Sequence, residues 1–244
     1  VDMTLPWRMV CREALATLRA ALRARSRFNP AVDRRHFTLF LTDLGEAFFL
    51  PRLLARLRDA APGVTLTTLP MPDRDPQAAL ERGEVDLAIG NLPDLPPGFY
   101  QQRLFREHYV AILRPDHPLL NGVMTPERFA QAHHAVVLPH GTGHSVVEQA
   151  LVARGLASRI VLRVQNFLVL PAIVTATDLL ALVPRSAARV LAAHQPLGQL
   201  PSPLDLPDFV VRQCWPERLH GDAAHQWLRG LVVELFGEGG AGDG

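Results

Sequence analysis

The feature that most narrows the fold is an alternation of period along the chain. Short apolar runs with strand character alternate with stretches of helical length. The sequence predicts strands over 36–42, 64–68, 85–89, 109–113, 135–138, 160–164, 179–183 and 209–215. It predicts helices over 44–59, 76–82, 145–154, 167–177, 187–193 and 223–236. Apolar strands fed through helices are the pattern of parallel sheets covered on both faces, so the expected class is α/β. The segments FTLFLTDLGEAFFLPRLLARL and AVVLPHGTGHSVVEQALVARG repeat one plan: apolar strand, short polar or glycine-bearing turn, long helix. Two such units suggest two similar lobes. In open α/β sheets ligands sit beyond the carboxyl ends of the strands, where helix N-termini point. Two facing lobes would set Thr42–Gly45 opposite Gly141–His144 across a cleft.

Charge adds a second division. All 25 basic residues are arginine, and 24 acids nearly balance them, for a net charge of +1. Residues 1–35 hold eight arginines against three acids, and the remainder holds seventeen against twenty-one. The bulk of the chain therefore repels phosphate, which argues against a protein that coats nucleic acid throughout. At 48% hydrophobic and 20% charged the chain is globular and long enough for a sizeable core. No run of about 18 apolar residues predicts a membrane-spanning helix. The first residues do not look like a secretory signal. Cys11 and Cys214 give neither a disulfide framework nor metal spacing. A cytoplasmic location is the expectation.

Residues 12–27 (REALATLRAALRARSR) read as a helix with Leu15, Leu18 and Leu22 on one narrow apolar stripe. Such a helix is marginal in isolation. It is either a surface helix of the same domain or a helix that pairs two subunits.

Candidate chemistry is sparse. Gly143-His144-Ser145 lacks the glycine that a hydrolase elbow needs two residues after its serine, since Val147 stands there. Ser145 reads instead as a helix N-cap. His133, His134, His140 and His144 lack the cysteine or carboxylate partners of a metal set, so no metal is expected. Gly141-Thr142-Gly143 is too short for a phosphate loop, and the chain has no lysine to complete one. Asp43 reads as a helix cap or as a ligand contact. His144 is either a structural histidine or a hydrogen-bonding, cationic residue of the cleft. Phe167 is either core or an aromatic wall. No nucleophile–base or acid–base pair stands out, so no catalytic residues and no cofactor are expected.

The stretch TLFLTDLGEAFFLPRLLARLRDAAPGVTL, followed by ALERGEVDLAIGNLPDLPPGFYQQRLFREHYVAILRPDHPL, resembles the effector-binding domain of LysR-type transcriptional regulators. TATDLLALVPRSAARVL and CWPERLHGDAAHQWLRGLVVELF extend the likeness over about residues 13–237. The flavour is that of the branch sensing aromatic compounds. The resemblance implies two Rossmann-like lobes of the type 2 periplasmic-binding-protein fold, joined by two crossing strands and preceded by a linker helix. Lobe I would take residues 36–108 and 209–237, and lobe II residues 109–208. Residues 1–35 would hold the dimerising linker helix, and 238–244 a flexible tail. The inducer cleft would be lined by Thr42, Asp43, Leu44, Met71, Pro72, Asn91, Thr142, His144 and Phe167. The implied partners are a small aromatic acid or nitroaromatic effector and a homodimer or homotetramer. Promoter DNA and RNA polymerase would be reached only through the full-length regulator, and no membrane is expected. The family carries a winged helix-turn-helix before its linker helix, and VDMTLPWRMVC is too short to form one. A solute-binding transport protein of the same fold is the alternative.

Overall fold

The computed structural model describes residues 27–70, 76–92, 95–138, 143–193 and 195–238. The leucine stripe Leu15, Leu18, Leu22, the cleft candidates Met71, Pro72 and Thr142, and the tail beyond 238 lie outside the described residues. In chain order the first lobe opens with β1 (Arg35–Phe40), α1 (Asp43–Ala60), β2 (Val64–Leu69), α2 (Pro76–Arg82), β3 (Leu87–Gly90) and β4 (Phe99–Glu107). The second is built from β5 (Tyr109–Leu113), α3 (Pro126–Gln131), β6 (His133–Val137), α4 (Val146–Ala153), β7 (Ile160–Val164), α5 (Leu170–Thr175), β8 (Leu179–Pro184), α6 (Arg185–Ala192) and β9 (Gly198–Pro201). The chain then returns as β10 (Phe209–Pro216) and closes with α7 (Ala223–Phe236).

The strands form two five-stranded sheets, ordered β2-β1-β3-β10-β4 and β7-β6-β8-β5-β9. The chain crosses between them twice, from β4 into β5 and from β9 into β10. The expected all-parallel sheets are corrected to mixed ones. β10 runs antiparallel to both β3 and β4, and β5 antiparallel to both β8 and β9. The reason is the crossing itself. β1, β2 and β3 run toward the interlobe side, as do β6, β7 and β8, whereas a strand entering from the other lobe starts at that side and runs away from it.

Each sheet is covered on both faces. In the first lobe, Phe37, Leu39 and Ile89 pack with Leu53 of α1 and Leu228 of α7. The opposite face sets Phe40, Ala88 and Cys214 against Ala79 and Leu80 of α2. In the second lobe, Ala135, Val137 and Val183 pack under α5 and α6, while Val136, Leu180 and Leu182 pack under α3 and α4. The proline patch at 115–126 proves to be structured. Pro126 sits at the start of α3, where its missing N–H costs nothing, and Thr125 Oγ1 accepts from Arg128 N at 3.3 Å. Ser145 does not cap α4. Gly143–Ser145 already forms a 3₁₀ turn, so Ser145 has helical angles and no side-chain cap bond.

One turn depends on a missing side chain. Gly63, between α1 and β2, lies so close to the Asp33 carbonyl that a Cβ there would meet the oxygen at 2.4 Å. Gly221, before α7, has open space around it. Gly63→Ala should therefore cost about 2 kcal/mol of stability, and Gly221→Ala under about 0.5 kcal/mol. Urea unfolding of the two variants checks this, and equal costs would refute the close-approach account.

Candidate functional site

The site is built where α1 meets the second lobe. Thr42 has extended angles and caps α1, its Oγ1 accepting from Gly45 N at 3.1 Å. Asp43 is thus corrected from cap to bridge, because the cap position is already held by Thr42. Its Oδ2 accepts from the backbone N–H of Leu168 in the second lobe at 2.9 Å. Leu44 follows it across, buried among Ile112, Val137, Phe167 and Leu170.

Beside this junction lies a small cleft with a cavity volume of about 50 Å³. Its first-lobe wall is Phe40, Thr42, Leu44, Phe48, Phe49, Gly90, Asn91 and Phe105. The second lobe contributes His144, Pro184 and Ser186, and the crossings contribute Glu107, Phe209 and Val211. Mostly apolar and aromatic walls with a few polar groups are the usual makeup of a small-molecule site.

His144 is buried among three rings, 5.1 Å from Phe167, 5.4 Å from Phe209 and 6.1 Å from Tyr109 between centroids. Its Nδ1 lies 3.0 Å from the Tyr109 hydroxyl. Burial pulls the imidazole down to about 4, so at neutral pH it is uncharged, which corrects the cationic reading. Burial, with the Glu107 charge adding, raises the Tyr109 phenol above its ordinary value. The phenol therefore keeps its proton and donates it to Nδ1, which assigns the imidazole proton to Nε2. Glu107 is also buried. Its carboxylate accepts from His108 N at 3.1 Å and from Ser186 N at 3.0 Å.

Of the nine expected cleft residues, the structure brings together Thr42, Leu44, Asn91 and His144. Asp43 and Phe167 do not line the space. Asp43 is turned onto Leu168, and Phe167 stands behind His144 at 2% exposure as part of the core. Met71, Pro72 and Thr142 are not described. Glu107 and Ser186 were not anticipated. The signal available for Glu107 was an acid set between Phe105 and Tyr109, immediately before an apolar strand. Of the histidines considered for a metal, His140 lies outside the described residues. His134 lies buried with its ring 4.6 Å from Phe129, whereas His144 packs on Tyr109, Phe167 and Phe209. Among the described residues no group of three or more His, Cys, Asp or Glu could hold a metal ion, and no helix is long and apolar enough to cross a membrane.

The model of the LysR substrate binding domain matches residues 30–237. The chain belongs to the LysR family. It is 39% identical over 223 residues to the HTH-type transcriptional activator NahR of Pseudomonas putida, covering 91% of this chain and 74% of that protein. It is 38% identical over 225 residues to the HTH-type transcriptional activator NagR of a Ralstonia species, covering 92% and 75%. The solved regulatory domain of MexT, a transcriptional activator in Pseudomonas aeruginosa, superposes with a TM-score of 0.71 at 27% identity, covering 82% of this chain and 98% of that one. The two mixed-sheet lobes are thus the periplasmic-binding-protein-like fold of LysR regulatory domains. LysR proteins regulate transcription and are not enzymes, and the transport-protein alternative finds no support among these relatives.

The buried histidines make stability depend on pH. His134 and His144 both fall from 6.5 to about 4, chiefly by burial. In the unfolded chain they take up protons from about pH 6.5 downward, while in the fold they resist until about pH 4. Their neutral burial is therefore at full strength above pH 6.5, and stability drains away as pH falls from 6.5 to 4. Urea unfolding from pH 7 to pH 4.5 should show this decline, and His144→Gln should lessen its slope. An unchanged slope would mean that His144 is not buried as described.

A second prediction concerns the bridge. Asp43→Ala should speed hydrogen exchange at the Leu168 amide by about fivefold or more, since it removes a bond worth about 1 kcal/mol. Exchange at Leu168 unchanged from the parent protein would contradict the bridge.

Proposed function

We propose that this LysR domain is the sensor of a transcriptional regulator and binds a small aromatic acid or nitroaromatic inducer in the cleft. The observation that carries this reading is the wall itself: Phe40, Phe48, Phe49, Phe105 and Phe209 surround a space between the lobes with few polar groups. A ring would lie against these phenylalanines and Leu44. Its oxygen-bearing head would take the Nε2–H of His144, the Thr42 hydroxyl and the Asn91 amide. Kinship with transcriptional activators of the NahR and NagR type supports the assignment.

In this reading lobe I comprises 36–108 and 209–237, and lobe II comprises 109–208. An inducer touching both lobes favours one lobe arrangement over another. A tenfold preference needs only about 1.4 kcal/mol of differential contact. In the proposed assembly Leu15, Leu18 and Leu22, within residues 1–35, would join subunits into a dimer or tetramer, so that the lobe shift alters oligomer geometry. Promoter DNA and RNA polymerase are reached through the full-length cytoplasmic regulator.

A melting-temperature screen with benzoates and nitrobenzenes tests this. At ligand concentrations near 100 times Kd the shift should be about 5 °C or more. His144→Ala should reduce it. No shift with any of these compounds would refute the aromatic reading, and an undiminished shift in the variant would remove His144 from the site.

A further inference from the structure

Glu107 ends β4 at the first crossing and is 5% exposed. Its Oε1 accepts from the backbone N–H of His108 and its Oε2 from that of Ser186, in the first turn of α6. These two bonds hold the carboxylate in place without neutralising it. An ionised carboxylate has about four acceptor positions, so two remain. The residues that line the described cleft include no arginine, and the histidine among them, His144, is neutral. The remaining lining residues are largely apolar, five of them phenylalanines. Burial raises the Tyr109 phenol two residues away, and the Glu107 charge adds to that rise.

Such a group discriminates strongly. A ligand hydroxyl or amine set against it forms a charge-assisted hydrogen bond, roughly twice as strong as a neutral one. A ligand carboxylate in the same position meets like charge, and a bare ring edge leaves the acceptors unfilled. We propose that Glu107 is a specificity-determining residue that selects inducers presenting an O–H or N–H donor to its carboxylate. The effector class is then an aromatic ring with an oxygen-rich head toward His144, Thr42 and Asn91, and a separate hydroxyl or amino substituent toward Glu107. This rests on the cleft being the inducer site.

The test is titration calorimetry on the whole chain with benzoate and with its hydroxy-, amino- and methoxy-substituted forms at each ring position. At one ring position or more, the hydroxy or amino form should bind about tenfold or more tightly than its methoxy counterpart. In Glu107→Gln that ratio should fall to about threefold or less. Because both ligands are measured on the same variant, a general weakening of the fold cancels. Should Glu107→Gln not fold, Glu107→Asp, which draws the carboxylate back by one methylene, is read by the same ratio. Equal binding of hydroxy and methoxy forms to the parent protein would overturn the role of Glu107 and leave the cleft reading intact. So would a ratio that survives substitution of Glu107. Failure of every compound to bind would overturn both.

Discussion

Leu44 belongs to the first lobe by its place in the chain and to the second by its packing. It enters the second-lobe core beside Phe167 and Leu170, while Asp43 holds the Leu168 amide just outside. Together with the two chain crossings, this junction fixes how the lobes face each other. The cleft is a consequence of that geometry. Phe40 and Thr42 come from one side of the junction, His144 and Ser186 from the other, and Glu107 and Phe209 stand on the crossings themselves. A rearrangement of the lobes therefore changes the distances across the cleft, and a ligand that bridges it bears on their arrangement.

The chemistry within the cleft is set by what burial does to a few polar groups. His144 loses its charge because three rings displace the water that would solvate it. Tyr109 keeps its proton for the same reason and thereby orients the imidazole. Glu107 retains two backbone donors, from His108 and from the start of α6. The result is a directional pair, an imidazole N–H and a carboxylate, set among phenylalanines. Recognition in such a space depends on matching a donor to an acceptor more than on net charge.

Much of this was legible from the sequence. The period change from strand to helix located most elements, and Pro76–Arg82, Tyr109–Leu113, Ile160–Val164 and Ala223–Phe236 lie where the pattern puts them. The strand β4 escaped because FYQQRLFRE is a largely exposed edge strand with little apolar alternation. The direction of β5 and β10 was hidden because local propensity carries no information about which lobe a strand enters from. Along the cleft, Thr42, Leu44 and His144 belong to the two turns that the repeated plan sets facing each other, and Asn91 came with the family resemblance; all four line the space. Asp43 and Phe167 stand off the cleft wall, a choice the sequence leaves open because a helix-start acid and an aromatic residue after a strand have the same signature whether they face a cleft or a neighbouring lobe. Glu107 needed the fold, since its proximity to Ser186 spans 79 residues of chain.

A small aromatic ligand held between the lobes, against walls from both, would leave its footprint on each. Hydrogen exchange followed by mass spectrometry, with and without a saturating hydroxybenzoate, reads that footprint. Exchange should slow in peptides covering residues 40–49, 105–109, 143–147 and 184–186, with little change over 117–133 at the far end of the second lobe. Protection confined to 117–133, or to one lobe with the other unaffected, would contradict it.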